Sequence, residues 1–259
     1  MTQAVDYDVV AAAYDKRYET HRFDGIEAVL QRLIGGSGCA DAAEVGCGTG
    51  HWLAALRGRV RTAAGLDLSA EMLQRARTAA PFAFVARGQA EKLPWAAGRF
   101  DRLFCINAMH HFGDVDAFMI EARRVLRPDG ALLIVGLDPH TRLDQWWIYD
   151  YFPTALKADR VRYLSTATIR RRMEAIGFVQ PATEVAQHIA TATPFAVAIE
   201  RGLVDRRATS QLMVISDGEY EAGLHRLEAE QPMLRADLRL YATVGWVCPP
   251  SRAASQTQV

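Results

Sequence analysis

A chain of 259 residues, half of them hydrophobic and 23% charged, has the profile of an ordinary globular protein with ample material for a core. Acidic and basic residues balance at 30 each, so no global field favours nucleic acid or an anionic membrane surface. Every basic position except Lys16, Lys92 and Lys157 is arginine, which beside the many alanines reads as the codon bias of a GC-rich genome and not as a binding device.

The opening stretch MTQAVDYDVV does not read as a secretory signal, and no stretch reaches the about 18 apolar residues of a spanning helix. Cys39, Cys47, Cys105 and Cys248 fall at no metal-ligand or disulfide spacing. A reducing cytoplasm is the expected compartment, with no membrane or nucleic-acid partner and no metal.

In chain order, AAAYDKRYETHRF places Tyr14 and Tyr18 at i, i+4 of a helical pattern. DGIEAVLQRLIGG predicts a helix with Ile26, Val29, Leu30, Leu33 and Ile34 on one stripe, a capping box from Asp24 to Glu27, and an end at Gly35-Gly36. AAEV predicts the first strand, followed by a glycine loop and a helix carrying Trp52, Leu53 and Leu56. AAGLD is a second strand, after which Ser69 caps a helix with Met72, Leu73 and Ala76. FAFVAR and FDRLFCIN are strands three and four, DVDAFMIEARRVL a helix, and ALLIVGL a continuous apolar strand of the kind buried on both faces.

Strand and helix alternate through most of residues 24–137, so the expected fold class is α/β: a Rossmann-like, doubly wound, mostly parallel sheet. After Asp138 the rhythm changes. QWWIYDYFPTALKADRVRYL is dense in aromatics without a clean period, STATIRRRMEAIGF restores a helix ending at Gly177, and a strand is expected around Phe178–Ala192. The last strand, LRLYATVGWV, follows an unusually long connection that contains SDGEYEAGLHRLEAE, a helix capped by Ser216.

The loop in AEVGCGTGHWL lies where open parallel sheets bind ligands, beyond the carboxyl ends of the strands. Asp67 closes strand two, where a carboxylate can take both ribose hydroxyls. A dinucleotide and S-adenosylmethionine both fit that pattern. The dinucleotide fingerprint needs a sixth-position glycine, and His51 stands there, so close helix-on-strand packing is lost at that point. Glu44, two residues before the first glycine, suits a cation better than a pyrophosphate, and the choice falls on S-adenosylmethionine.

At this point the sequence resembles the class I S-adenosylmethionine-dependent methyltransferases, most closely the ubiquinone/menaquinone C-methyltransferase-like (methyltransferase type 11) subgroup. The resemblance covers about residues 9–178 and is carried by AEVGCGTGHWLAAL, GLDLSAEMLQRA, GQAEKLPW, FDRLFCINAMHHF and EARRVLRPDGALLIV in order. It implies a seven-stranded sheet with an antiparallel last strand, and S-adenosyl-L-homocysteine as product. It implies that Glu44, Gly46, Gly48 and Gly50 lie beside the methionine moiety. Asp67 would bind the ribose, Leu68 would lie against adenine, Ala90 and Glu91 at the adenine edge, and Asn107 at the methionine end, with Met72 also among the cofactor-binding residues. Gln89 departs from the family, where aspartate often receives the adenine amino group; its amide oxygen can still accept that bond. The N-terminal segment resembles a helix covering the cofactor, with Tyr14 in contact.

The domain organisation expected is residues 1–23 as a lid helix, 24–140 as the cofactor-binding core, and 141–165 as an aromatic cap. Residues 166–192 return to the core, 193–235 form a helical cap insertion, 236–250 the last core strand, and 251–259 a frayed tail. The ends of strands four and five bring NAMHHF and GLDPH to one rim. His111 is the candidate general base, with Asp138 as its orienting partner. Tyr18, His110, His140, Trp146, Trp147 and Tyr151 are the candidate acceptor-binding residues, the aromatics enclosing an apolar pocket.

The function expected is methyl transfer to an oxygen, nitrogen or carbon of a small, partly apolar molecule in biosynthesis, by a monomer or homodimer. Two alternatives stand beside it: a non-catalytic S-adenosylmethionine-binding sensor or scaffold, and an NAD-dependent oxidoreductase, against which His51 counts.

Overall fold

The computed structural model describes Asp15, Tyr18, residues 22–35 and residues 40–248. Most of the expected lid helix, Tyr14 included, and the tail lie outside the described residues.

Helix α1 (Asp24–Ile34) precedes β1 (Asp41–Val45), α2 (His51–Ala55), β2 (Thr62–Asp67), α3 (Ala70–Ala79), β3 (Phe84–Arg87) and β4 (Phe100–Ile106). A 3-10 turn at Met109–His111 leads to α4 (Val115–Val125) and β5 (Leu126–Leu137). Then come β6 (Gln145–Trp146), α5 (Trp147–Tyr151), α6 (Pro153–Arg162) and α7 (Thr166–Ile176). The chain closes with β7 (Val179–Pro194), α8 (Phe195–Glu200), α9 (Ser210–Met213), α10 (Asp217–Glu230) and β8 (Met233–Trp246).

Strands β3, β2, β1, β4 and β5 run parallel in that spatial order, and β8 joins β5 antiparallel. β7 covers the far edge of β8, while the two-residue β6 pairs with Ala236 and Asp237. The sheet therefore holds the seven expected strands with an antiparallel last strand, plus one short extra strand. The strand order reverses direction at β1, between β2 and β4, which opens the crevice where such folds take ligands.

Side-chain alternation sorts the two cores. Along β5, Leu132 and Ile134 pack with α4 and α7 on one face, while Ala131, Leu133 and Val135 pack with α1 and α2 on the other. At the amino end of β1, Asp41 accepts hydrogen bonds from Arg61, Arg99 and Arg127, whose guanidinium groups, Arg61 foremost, hold it well below the usual carboxylate range. That end of the sheet is closed by ion pairs and leaves the carboxyl end for chemistry.

Ser69 and Ser216 cap α3 and α10 as expected, accepting from Met72 N–H at 3.1 Å and Glu219 N–H at 3.2 Å, and Gly177 ends α7 at φ +96°. The capping box on α1 does not form. Asp24 is already the first helical residue, Phe23 holds the cap position, and no side chain caps the end. Glu27 instead accepts from Gln31, one turn along.

The aromatic segment folds with the long connection into a second lobe. Trp147, Ile148, Phe152 and Ala155 pack against Phe195, Leu212, Ile215 and Leu227 in a third apolar cluster, which reaches the sheet at Leu234 of β8. Among the described residues no helix is long and apolar enough to cross a membrane.

Candidate functional site

The glycine loop is built by three positive-φ residues with separate tasks. Gly46, at φ +75°, turns the chain out of β1, and the N–H groups of Gly46 and Cys47 both donate to Leu66 O. A Cβ on Gly46 would lie 2.3 Å from Ala108 Cβ, so only glycine lets the loops after β1 and β4 meet. Gly48 N–H donates to Asp67 Oδ2 at 2.8 Å, and Ser69 N–H donates to Oδ1 at 2.9 Å. Gly50, at φ +83°, opens α2 and would place a Cβ 2.9 Å from Ala76 Cα of α3. Gly46 and Gly48 line the cleft; Gly50 does not, and its task is the close approach of α2 to α3. The close packing that His51 cannot supply is thus delivered one residue earlier.

His51 has a different neighbour. Its ring stacks on Tyr18 with centroids 3.6 Å apart and planes within 2°. Burial pushes its imidazole below the ordinary value, which suits a neutral stacked ring. Thr49 Oγ1 donates to Asp15 Oδ1 at 2.5 Å, so two residues of the N-terminal segment dock on the glycine loop. Tyr18 was expected against the acceptor; it sits on His51 and does not line the cleft.

The cleft has a volume of about 680 Å³. Asp67, Leu68, Met72, Gln89, Ala90, Glu91 and Asn107, all expected at the cofactor, line one part of it. Leu68 is 62% exposed, an apolar surface facing open space at the end of β2. Glu91 Oε1 accepts from Gly113 N–H at 2.6 Å and Asp114 N–H at 3.1 Å, tying the β3 loop to the start of α4. Asn107 adopts φ +52° and donates its N–H to Val135 O at 2.8 Å, which turns the chain at the end of β4. Glu44 lies behind the loop, 1% exposed, with Oε2 unpartnered among the described residues. Burial first, and the Asp67 charge second, hold its carboxyl well above the usual range.

His110 and His111 line the other part of the cleft, their rings 3.9 Å apart. His110 also stacks on Tyr163 at 4.0 Å and shares a 3.0 Å hydrogen bond between Nε2 and the Tyr163 hydroxyl. Asp138 is not the orienting partner of His111. Its carboxylate accepts from His140 N–H at 3.1 Å and from the N–H and hydroxyl of Thr166 at 2.8 and 3.0 Å, so it fastens the β5 loop to α7. His140 is exposed, bonds the Tyr163 carbonyl through Nε2, and is not part of the cleft wall.

The aromatic trio expected around the acceptor is elsewhere too. Trp147 is buried in the second lobe, Trp146 packs on Tyr149, and the Tyr151 hydroxyl donates to Glu230 at 2.6 Å. None of the three lines the cleft. Aromatics of that size bury most area where a second apolar surface meets them, and the insertion supplies it. The sequence reading missed Arg162, Phe112 and Asp114, which do line the cleft. HHFGD carries the signal for the last two; nothing in the aperiodic segment marks Arg162.

The donor set suits S-adenosylmethionine. A carboxylate closes β2 beside an exposed apolar platform, Gly46 and Gly48 present no Cβ to the cleft, and a buried acid with an oxygen unpartnered among the described residues lies behind the loop. Residues 43–134 match the family model described as a methyltransferase domain. Over those residues the chain is similar to a methyltransferase domain, and its fold is shared with solved methyltransferases. The chain is 36% identical over 97 residues to the uncharacterized methyltransferase YcgJ of Bacillus subtilis, covering 36% of this chain and 38% of that one. It is 33% identical over 150 residues to a malonyl–acyl-carrier-protein O-methyltransferase of Methylovorus sp., covering 52% and 49%. The sequence matches thus span half or less of these relatives' own lengths. In structure, YcgJ superposes with a TM-score of 0.63 at 20% identity, over 87% of this chain and 99% of that one. The 4+2 cyclase SpnF shares the fold with a TM-score of 0.58 at 18% identity, over 87% and 80%.

Proposed function

We propose that this protein transfers the methyl group of S-adenosylmethionine to an oxygen, nitrogen or carbon of a small, partly apolar molecule. The observation that carries the reading is Asp67, held by Gly48 and Ser69 N–H groups at the end of β2, with Leu68 exposed beside it on a glycine-walled cleft. In this reading Asp67 takes the ribose hydroxyls, Leu68 and Met72 face adenine, and Gln89, Ala90 and Glu91 lie along its edge. Gly46, Gly48 and the Asn107 backbone face the methionine end.

When bound, the cofactor supplies an electrophilic methyl group on a sulfonium. Glu44 lies behind the loop with its carboxyl raised by burial, and a cation bound nearby would lower the cost of ionising it. The protein's main contribution is to hold the acceptor atom and methyl group in line within the cleft. His111 is the group on the cleft wall that can take a proton where the acceptor must lose one, and it does so without Asp138. The name of the Methylovorus relative makes an oxygen acceptor the first to try.

The fold is shared with a cyclase, so activity is read directly. The purified protein is incubated with S-adenosylmethionine bearing a deuterated methyl group and panels of carboxylic acids, phenols and amines. The reading expects S-adenosylhomocysteine in equal amount to a labelled product, both abolished by Asp67→Ala. Tight cofactor binding with no labelled product from any panel would instead support a sensor or a cyclase-like role.

A further inference from the structure

Arg162 is the last residue of α6 and stands in the cleft wall with His110 and His111. Its side chain is 8% exposed. Nη2 donates to Asp159 Oδ1 at 2.5 Å, while Nε and Nη1 are buried with no hydrogen-bond partner among the described residues. An arginine keeps its charge, and a buried donor left dry is costly, so such a group is held for a partner.

Asp159 cannot supply more. It is fully buried, and its Oδ2 accepts from the Tyr149 hydroxyl at 2.7 Å and Gln211 Nε2 at 3.0 Å. Gln211 also reaches the Tyr163 hydroxyl at 3.4 Å, the group bonded to His110. The second lobe therefore clamps Asp159, and Asp159 clamps one edge of the guanidinium, leaving the rest fixed at the cleft. The structure gives that lobe a task other than enclosing the acceptor with aromatics: it aims a cation.

We infer that Arg162 receives a carboxylate of the acceptor molecule, so the substrate class is small organic acids with an apolar body. The inference rests on the methyl-transfer reading and narrows it. Among the described residues lining the cleft, Arg162 is the one arginine or lysine, while Asp67, Glu91 and Asp114 are all acidic. A single carboxylate adds one negative charge to a wall that already holds three acids, whereas a dianionic phosphate would add two. Guanidinium donors also match a planar carboxylate in shape. Phe112 and Ala108 in the same wall offer apolar surface to the body of the molecule.

The test is calorimetric titration of the S-adenosylhomocysteine-saturated protein with decanoate, decan-1-ol and decyl phosphate. It compares wild type, Arg162→Lys and the double variant Arg162→Gln/Asp159→Asn. The double variant removes both charges together, because Arg162→Gln alone would strand the buried Asp159 charge. The inference expects saturable binding of decanoate over both other probes, weakened about tenfold or more in each variant, with unchanged affinity for S-adenosylhomocysteine. Equal binding of decan-1-ol, preference for decyl phosphate, or no binding of decanoate would overturn it. A variant that loses S-adenosylhomocysteine affinity would also overturn it, assigning Arg162 to the carboxylate of the cofactor. Failure of the wild type to bind S-adenosylhomocysteine would remove the methyl-transfer reading itself, a result distinct from all of these.

Discussion

Substituting Gly50 with alanine tests whether the glycine loop is shaped by the contact of α2 with α3. Gly50 sits at φ +83°, and the added Cβ would meet Ala76 Cα at 2.9 Å, which is helix backbone and cannot swing aside. A left-handed non-glycine residue costs about 1–2 kcal/mol, and overpacking against a fixed neighbour about 1–3 kcal/mol, so the sum is roughly 2–5 kcal/mol. At roughly 2–4 °C per kcal/mol for a chain of this size, the melting temperature should fall by roughly 4–20 °C. Gly98→Ala is the control: φ is +61° there, but nothing lies within 4 Å of the new Cβ. It carries the conformational strain without the collision and should lose roughly 2–8 °C. Thermal melts by circular dichroism read both, and calorimetry with S-adenosylhomocysteine shows whether displacing α2 also weakens the site. If Gly50→Ala melts as high as Gly98→Ala, the helix contact does not require glycine and the reasoning fails.

Three further outcomes follow from named contacts. Burial and the Asp67 charge raise the folded-state pKa of Glu44 well above its ordinary 4.5. A carboxyl protonated when folded but ionised when unfolded makes stability fall as pH rises above that ordinary value, because the unfolded chain then binds fewer protons. Glu44→Gln should therefore raise the melting temperature of the ligand-free protein at about pH 8 and change it little at about pH 4, while weakening S-adenosylhomocysteine binding; melts at the two pH values decide the sign. Phe152 is fully buried in the second lobe, stacked on Tyr220 with centroids 6.0 Å apart. Phe152→Ala should cost about 3–5 kcal/mol in denaturant melts with S-adenosylhomocysteine affinity unchanged; a parallel loss of affinity would show the lobe is coupled to the cofactor end. Once a labelled product is identified, His111→Gln should lower kcat if that acceptor must lose a proton and leave it unchanged if not, read from initial rates across pH.

The part of the fold legible in the sequence was the part where burial has a period. β5 was legible as an unbroken apolar run, since its residues alternate between two cores and neither face meets water, and α4 buries Phe118, Met119, Ala122 and Val125 as its stripe requires. Ser69 and Gly177 were legible because a cap is a local hydrogen bond or a local φ, needing nothing distant. The aromatic segment was not, because periodicity records that a residue is buried and not what buries it. Trp147 and Phe152 meet Phe195 and Leu227, far along the chain, and so build a second core where a pocket was expected. Asp138 misled for a related reason: a carboxylate near a histidine in sequence geometry has other donors to choose from, and Thr166 offers two. Arg162 was invisible because its importance is a lack of partners, which only packing reveals.

The most direct test of the account is calorimetric titration of the wild-type protein with S-adenosylhomocysteine, with NAD as the parallel ligand and Asp67→Ala as the site control. The account predicts saturable binding of S-adenosylhomocysteine, no binding of NAD, and loss of the signal in Asp67→Ala, whose carboxylate also holds Gly48 and Ser69 in place. Binding of NAD without S-adenosylhomocysteine would contradict it and hand the glycine loop to an oxidoreductase.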